Sequence, residues 1–463
     1  MTVTAGMSGR RSFYSSSALA TYKPVWVENR VKMPWVEALA MQQNAMAAKK
    51  KNTVKEGGGG NGGVKGKVDL TPKRMGDSYF RSILPLAQDP WLLDTYLNAS
   101  GHIRLGSLLM DLDALAGVVA YKHTGDAVMT VTAAVDRIVL ERPLKEICDL
   151  ELSGHVTYAT GRSSMEVSLK VAKAPREEEV AKPENVLITC AFTMVSLDPV
   201  TQKPVPVAPL VLETDEERAL FAKGEKNYNA KRALRARSLL QQTPNDEESD
   251  LIHEMWKADV AYHNPQALVK RPSNVVNMKD TVLKTALIMQ PQFRNRHNFM
   301  IFGGYLLQQT FELAFCCAAA SSQTRPTFLS LDPSTFENPV PVGSVLYLKA
   351  VVSYTDATPS PQQTTTTADS SRSSGEQTQR KFTKVQVRVD SKVRDVEHAS
   401  KKPTGVFNYT FLVERDIRVM PQSYSDYMIW VDARRRAQST NESLVKGIME
   451  ENDFDGIQEG VTE

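Results

Sequence analysis

Residues Arg294-Asn295-Arg296-His297-Asn298-Phe299-Met300-Ile301-Phe302-Gly303-Gly304 bring two side-chain amides and an imidazole to the start of an apolar run. That run, Tyr305 to Ala320, carries Leu306, Leu307, Phe311, Leu313, Ala314, Phe315 and Ala318 on nearly every side of a helix. A surface helix shows one apolar stripe, whereas a helix apolar all round is buried. A polar loop therefore opens onto the N-terminus of a buried helix. There, unpaired backbone N–H groups and the helix dipole stabilise an anion, or a carbonyl acquiring negative charge. Gly303 and Gly304 also have a plainer use, since they let a helix pack closely on its surroundings.

The same construction occurs earlier. Asn98-Ala99-Ser100-Gly101-His102-Ile103-Arg104-Leu105-Gly106 is a polar loop ending in glycine, and Leu108, Leu109, Leu112, Leu115, Ala116, Val118 and Val119 follow as a mostly apolar helix. Asn98 precedes Gly106 by the same interval as Asn295 precedes Gly303. On that alignment Asp111 and Asp113 stand where the later helix has Gln308 and Thr310. At ~100° per residue the two aspartates lie about 200° apart, so they cannot face one site. Asp111 reads as a surface or first-turn acid that favours the helix dipole.

The segments after each helix repeat as well. Stretches 127–140, 151–160, 164–172 and 186–197 are rich in Val, Thr and Ile, as are 326–331, 343–355, 381–393 and 405–413; turn residues separate them, as between antiparallel strands. Each half is thus one buried helix and then several strands, an internal duplication in an α+β chain. The halves are joined by a polar helical connector. Thr214-Asp215-Glu216-Glu217 is a capping box for a helix through Arg237, and Pro244 before Asp246, Glu247 and Glu248 starts a second that runs to Trp256. The predicted organisation is 1–75 targeting and linker segment, 76–200 first repeat, 201–265 connector, 266–440 second repeat with a low-complexity insertion at 357–380, and 441–463 acidic tail.

Composition narrows the function classes. Of 463 residues, 41% are hydrophobic and 24% charged, ordinary values for a globular chain. No apolar run reaches the ~18 residues that span a bilayer. The net charge of +3 is concentrated at one end. Residues 1–70 hold eleven Lys/Arg against four Asp/Glu, leaving 45 against 49 in the body. A body at −4 lacks the basic excess of a nucleic-acid binder. Met1 to Pro24 has Arg10, Arg11, Lys23, several serines and no acid, the pattern of a mitochondrial transit peptide; cytoplasm is the alternative. Gly57 to Gly63 is a linker, because no strand precedes it and no Gly-Lys-Ser/Thr comes after it. Cys148, Cys190, Cys316 and Cys317 form no CxxC pair, and His253-Glu254 lacks a second His four residues on, so no metal site is expected.

Taken together and in order, several stretches resemble the mitochondrial acyl-coenzyme A thioesterase 9 family. "RNRHNFMIFGGYLLQQTFELAF" is similar to its second hotdog repeat; "IRLGSLLMDLDALAG" and "LSGHVTYATGRSSMEVSL" are similar to its first. "IHEMW" and "FENPVPVGSVLYLKAVV" also match, and the resemblance spans roughly residues 77 to 432. It implies two tandem hotdog repeats, each a long helix wrapped by a curved antiparallel sheet, and hydrolysis of an acyl-coenzyme A thioester. It further implies a site shared between the repeats: Asp113 from the first, with Asn295 or Asn298 from the second. Asp113 would act as general base once burial raises its pKa. The Asn would hold the attacking water, and backbone N–H groups at Gly303 or Gly304 would receive the oxyanion. His297 would orient Asn298 or touch the acyl chain, unless it is a solvated loop residue. Asn98 and Glu312 form a possible second, mirrored site. No cofactor is needed beyond the coenzyme A of the substrate, and a dimer or trimer of the double unit is expected.

Two other functions fit the same residues. A hotdog hydratase or dehydratase needs a His base paired with an acid; His297 offers one candidate, while the Asn-plus-Asp pair favours hydrolysis. A non-catalytic acyl-coenzyme A binder needs no base at all. Free coenzyme A released from an acyl thioester separates hydrolysis from both.

Overall fold

A computed structural model describes residues 69–142, 147–174, 185–236, 242–264, 266, 269–295, 300–358, 381–397 and 400–438. The predicted targeting segment through residue 68, positions 359–380 of the insertion and the tail from residue 441 lie outside the described residues. Six α-helices are described: α1 (Pro90–Tyr96), α2 (Leu105–Thr124), α3 (Asp215–Ala236), α4 (Asp246–His263), α5 (Gly303–Ser322) and α6 (Tyr424–Ala437). Earlier strands are β1 (Lys73–Arg74), β2 (Phe80–Leu84), β3 (Met129–Val135), β4 (Ile138–Leu140), β5 (Leu150–Ala159), β6 (Ser164–Lys173), β7 (Val186–Leu197) and β8 (Leu210–Val211). Later ones are β9 (Val275–Asn277), β10 (Leu283–Ile288), β11 (Thr327–Leu331), β12 (Ser334–Thr335), β13 (Val345–Thr358), β14 (Phe382–Arg394), β15 (Lys401–Val413) and β16 (Arg418–Met420).

The two helices α2 and α5 are the ones whose apolar residues fall on all sides, and the reason is now visible. Each has one face on the sheet of its own half and another on the other helix. The strands alternate to match. In β7, Ile188, Cys190, Phe192 and Met194 turn inward and are buried, while the residues between them are half-exposed. Strands β2-β5-β6-β7 in the first half have the same neighbour order as β10-β13-β14-β15 in the second. The halves meet edge to edge. β11 pairs antiparallel with β4 (Ser330 opposite Val139) and β12 with β3 (Ser334 opposite Val135), so one sheet of 12 strands runs through both.

A buried charge cluster ties this seam. Asp332, just past β11, is 1% exposed. Arg137 from the first half lies 3.3 Å from its Oδ1, and Arg436 of α6 lies 3.3 Å from its Oδ2. Burial pushes the Asp332 carboxyl up, and the two guanidinium groups pull it back. Removing Asp332 takes the shared carboxylate from both guanidinium groups, although Arg436 keeps Asp432 and Gln386. Asp332→Ala is expected to cost about 3 kcal/mol in urea unfolding, the low end for a buried pair because both arginines keep some water.

The connector helices start at the predicted caps. Thr214 and Glu217 form their reciprocal bonds, and Asn245 caps α4 with Glu248. α4 continues to His263, seven residues past the predicted end at Trp256, because Asp259, Val260 and Ala261 offer no helix stop. β13 also runs through Thr358, into the start of the predicted insertion. Elements not foreseen include the edge strands β2 and β10, the capped helices α1 and α6, and the two-to-three-residue strands β1, β8, β9, β12 and β16.

Candidate active site

The described ends of the loops before α2 and α5 make matching hydrogen bonds, and these fix which residues correspond. The Asn98 N–H donates to the His102 carbonyl (2.8 Å), and the Asn295 N–H donates to the Met300 carbonyl (2.8 Å). The Arg104 N–H bonds to the Tyr96 carbonyl, as that of Phe302 does to the Phe293 carbonyl. Asn98 and Asn295 are therefore counterparts, but the second loop is one residue longer. The equal spacing read from the sequence is corrected: Gly106 corresponds to Gly304, and Asp113 to Phe311 rather than Thr310. Equal counting missed this because the extra residue is absorbed within the loop, before the helix starts.

Gly304 is where the two helices touch. A Cβ there would stand 2.9 Å from both the Cα and the carbonyl oxygen of Met110. Its N–H, unpaired within α5 because it lies in the first turn, donates to Asp113 Oδ2 (2.6 Å). The Thr132 hydroxyl of β3 donates to Asp113 Oδ1 (2.7 Å). Asp113 is 1% exposed. Burial pushes its carboxyl up to about 6, against the opposing pull of the Thr132 and Gly304 hydrogen bonds.

A cavity of about 100 Å³ opens beside this carboxylate, and Asp113, Thr132, Arg294, Asn295, Gly303 and Phe336 are among its walls. Asn295 Oδ1 is buried and has no hydrogen-bond partner among the described residues. Stacking of Phe293 on Tyr305 of α5 (ring centroids 3.9 Å apart) holds its loop against the helix. The Gly303 N–H, at the first position of α5, has no acceptor among the described residues. The mouth thus offers a carboxylate, an amide oxygen and a backbone donor around a space of water size.

Of the predicted site residues, Asp113, Asn295 and Gly303 share this cavity. Gly304 takes a different part from the one expected, since its N–H is spent on Asp113 and is not free for an oxyanion. His297 and Asn298 lie outside the described residues. Asn98 and Glu312 line another, larger cavity. Asp111 is not the surface acid expected. It is 6% exposed and receives the Tyr96 hydroxyl, and burial pushes its carboxyl up to about 7. The apolar neighbours Met110 and Leu112 gave the hint: no face of α2 reaches water at that level. Thr132 was missed outright, because one Thr among several in a β-strand carries no signal.

A helix-on-sheet chain, with a buried carboxylate of one half facing an amide of the other, is the class that these features define. No family model matches the chain. It is 33% identical over 382 residues to mitochondrial acyl-coenzyme A thioesterase 9 of Homo sapiens, covering 80% of this chain and 79% of that protein. It is 32% identical over 387 residues to the Bos taurus protein of the same name, covering 81% and 80%. Chloroplastic acyl-coenzyme A thioesterase 2 of Humulus lupulus is 35% identical over 294 residues, covering 62% and 66%. Among solved structures, a hexameric acyl-CoA thioesterase aligns at 26% identity and a TM-score of 0.31, over 36% of this chain and 99% of that one. The chain belongs to the acyl-coenzyme A thioesterase 9 family.

Proposed function

We propose that this chain hydrolyses acyl-coenzyme A thioesters to a free acid and coenzyme A, with its centre at the mouth of α5. One observation carries the reading: the buried Asp113 and the unpartnered Asn295 Oδ1 line one cavity although they come from different halves. Family membership and the names of the relatives agree with it. The paired helices, the repeated strand order and the seam support two tandem hotdog repeats. The mitochondrial names of the animal relatives, with the Arg- and Ser-rich N-terminus, support a mitochondrial location.

In this mechanism a water in the cavity donates one hydrogen bond to Asn295 Oδ1 and the other to Asp113. Its oxygen attacks the thioester carbon while the proton passes to Asp113. Negative charge collects on the former carbonyl oxygen, which the Gly303 N–H and the α5 dipole receive. Collapse breaks the carbon–sulfur bond. The leaving thiolate takes the proton back from Asp113, and acid and thiol depart. Gly304 and Thr132 are positioning residues: they fix the carboxylate and keep its pKa from rising further.

Trapping of free thiol from a panel of acyl-coenzyme A esters tests the reading. Release of coenzyme A is the expected result, and its absence across short, medium and long chains would refute it. The pH profile carries a second expectation. The base works ionised, so kcat/KM should fall as pH drops through about 6, the Asp113 value. Thr132→Val removes a bond that stabilises the ionised form, so this acid limb should move to higher pH. An unmoved limb would mean that another group sets it.

A further inference from the structure

The mouth built by the earlier loop is not a copy of the one at Asp113. Its cavity measures about 620 Å³ against about 100 Å³, within the ~300–1,000 Å³ typical of small-molecule sites. Phe311 occupies the place that Asp113 holds at the other mouth. With Phe315 and Phe328, whose rings lie 6.5 and 5.7 Å away between centroids, it builds an aromatic wall. The loop amide is already engaged. Asn98 Oδ1 accepts from the backbone N–H groups of Ser100 (2.8 Å) and His102 (3.1 Å). The remaining carboxylate, Glu312, is ion-paired with Arg104. The amide oxygen and the carboxylate that would make a hydrolytic pair here are thus both engaged, and the imidazole on this wall, His102, has no carboxylate of the Asp113 kind beside it among the described residues. Its rim carries Arg104 and Arg325 against Glu312, an excess of one positive charge. Arg325 is exposed and makes no ion pair or hydrogen bond among the described residues.

We propose that this second cavity binds, without hydrolysing, an amphipathic anion: an aliphatic chain that lies along Phe311, Phe315 and Phe328 and ends near Arg325 and Arg104 in negative charge. The choice of probes, though not the site, rests on the hydrolase reading, because its product acid and its substrate thioester both have this chemistry. The site is mechanically tied to the active one. Arg104 immediately precedes α2, which carries Asp113, and Glu312 lies on α5, whose Gly304 holds that carboxylate. An anion that draws Arg104 from Glu312 loosens a contact between the two helices that align the catalytic pair.

Cys316 provides a local reporter, since it lines this cavity and is exposed, while Cys190 and Cys317 are buried. The full chain carrying Asp113→Asn is labelled with a maleimide, alone, with decanoate, or with the non-hydrolysable decyl thioether of coenzyme A. Peptide mass spectrometry then tracks Cys316 and, as a control, Cys148. At saturation, at least one ligand should slow Cys316 labelling tenfold or more and leave Cys148 unchanged. Arg325→Glu should abolish that protection. Protection by decanoate identifies the free acid as a ligand, and protection by the thioether alone identifies the substrate. Equal Cys316 labelling with and without both ligands would overturn the proposal, as would full protection persisting in Arg325→Glu. A wild-type chain that releases no coenzyme A refutes the hydrolase reading instead, and decanoate protection is scored independently of it.

Discussion

Asp113→Asn should lower kcat about a thousandfold, the usual loss when a positioned general base is removed. The fold should survive. Asn can keep its oxygen toward the Gly304 N–H and turn its amide toward the Thr132 hydroxyl, which can accept as readily as donate. The variant should even gain stability at neutral pH. The Asp113 carboxyl rises from an ordinary 3.8 to about 6 on folding, so the native state holds its proton more tightly than the unfolded one. Stability from this group is therefore full below 3.8 and is lost as pH rises through 6, a loss of about 3 kcal/mol at pH 7.5. Asn carries no such penalty. Parallel denaturation and turnover measurements on wild type and variant check both halves of the expectation. Unchanged turnover would remove Asp113 from the mechanism, and a collapsed fold would show that its hydrogen bonds matter more than its charge.

Gly304→Ala should have the second large effect, by a different route. The added methyl meets the Met110 backbone at 2.9 Å and the Phe302 ring at 2.7 Å. Backbone cannot swing aside as a side-chain tip can, so the helices must separate. Overpacking of this kind costs about 3 kcal/mol. Separation also stretches the bond from the Gly304 N–H to Asp113 and turns the carboxylate from Asn295. A misplacement of ~1 Å costs about a hundredfold in rate. Thermal unfolding and kcat/KM should therefore fall together here, unlike in Asp113→Asn. Gly303→Ala is the milder comparison for stability alone, because its nearest neighbour is a side-chain atom, the Asp113 carboxylate oxygen at 3.0 Å.

Much of the frame could be read from residue order. The helices announced themselves because Leu, Val and Ala filled every face, and the polar loops because Asn and Gly broke those runs. The long strands showed in alternation and β-branching. Phe80–Leu84 and Leu283–Ile288 did not, because edge strands pair on one side only and keep polar, mixed sequences. Ser423 and Asp426 do form a capping box for α6, but that short helix has three consecutive arginines in its last turn, and Tyr, Met, Ile, Trp and Val run together in its middle without a clear single stripe. At the site, Asp113 and Asn295 come from motifs that resemble a known family. The hydrogen bond to Met300 makes Asn295 the counterpart of Asn98, which loop length alone leaves ambiguous by one residue, while Asn298 lies outside the described residues. Thr132, Tyr96 and the Gly304–Asp113 bond exist only through packing between segments far apart in the chain, and no local pattern encodes them.

The unlike residues at corresponding positions, Asp113 in one helix and Phe311 in the other, bear on how such a molecule changes over generations. A polypeptide that pairs with its own twin must express every inherited replacement twice, once at each mouth. Any drift toward a roomier, greasier pocket would then delete the acid everywhere at once. Writing both copies into a single gene breaks that obligation. Selection can hold one copy to its chemistry while the other wanders into a new task.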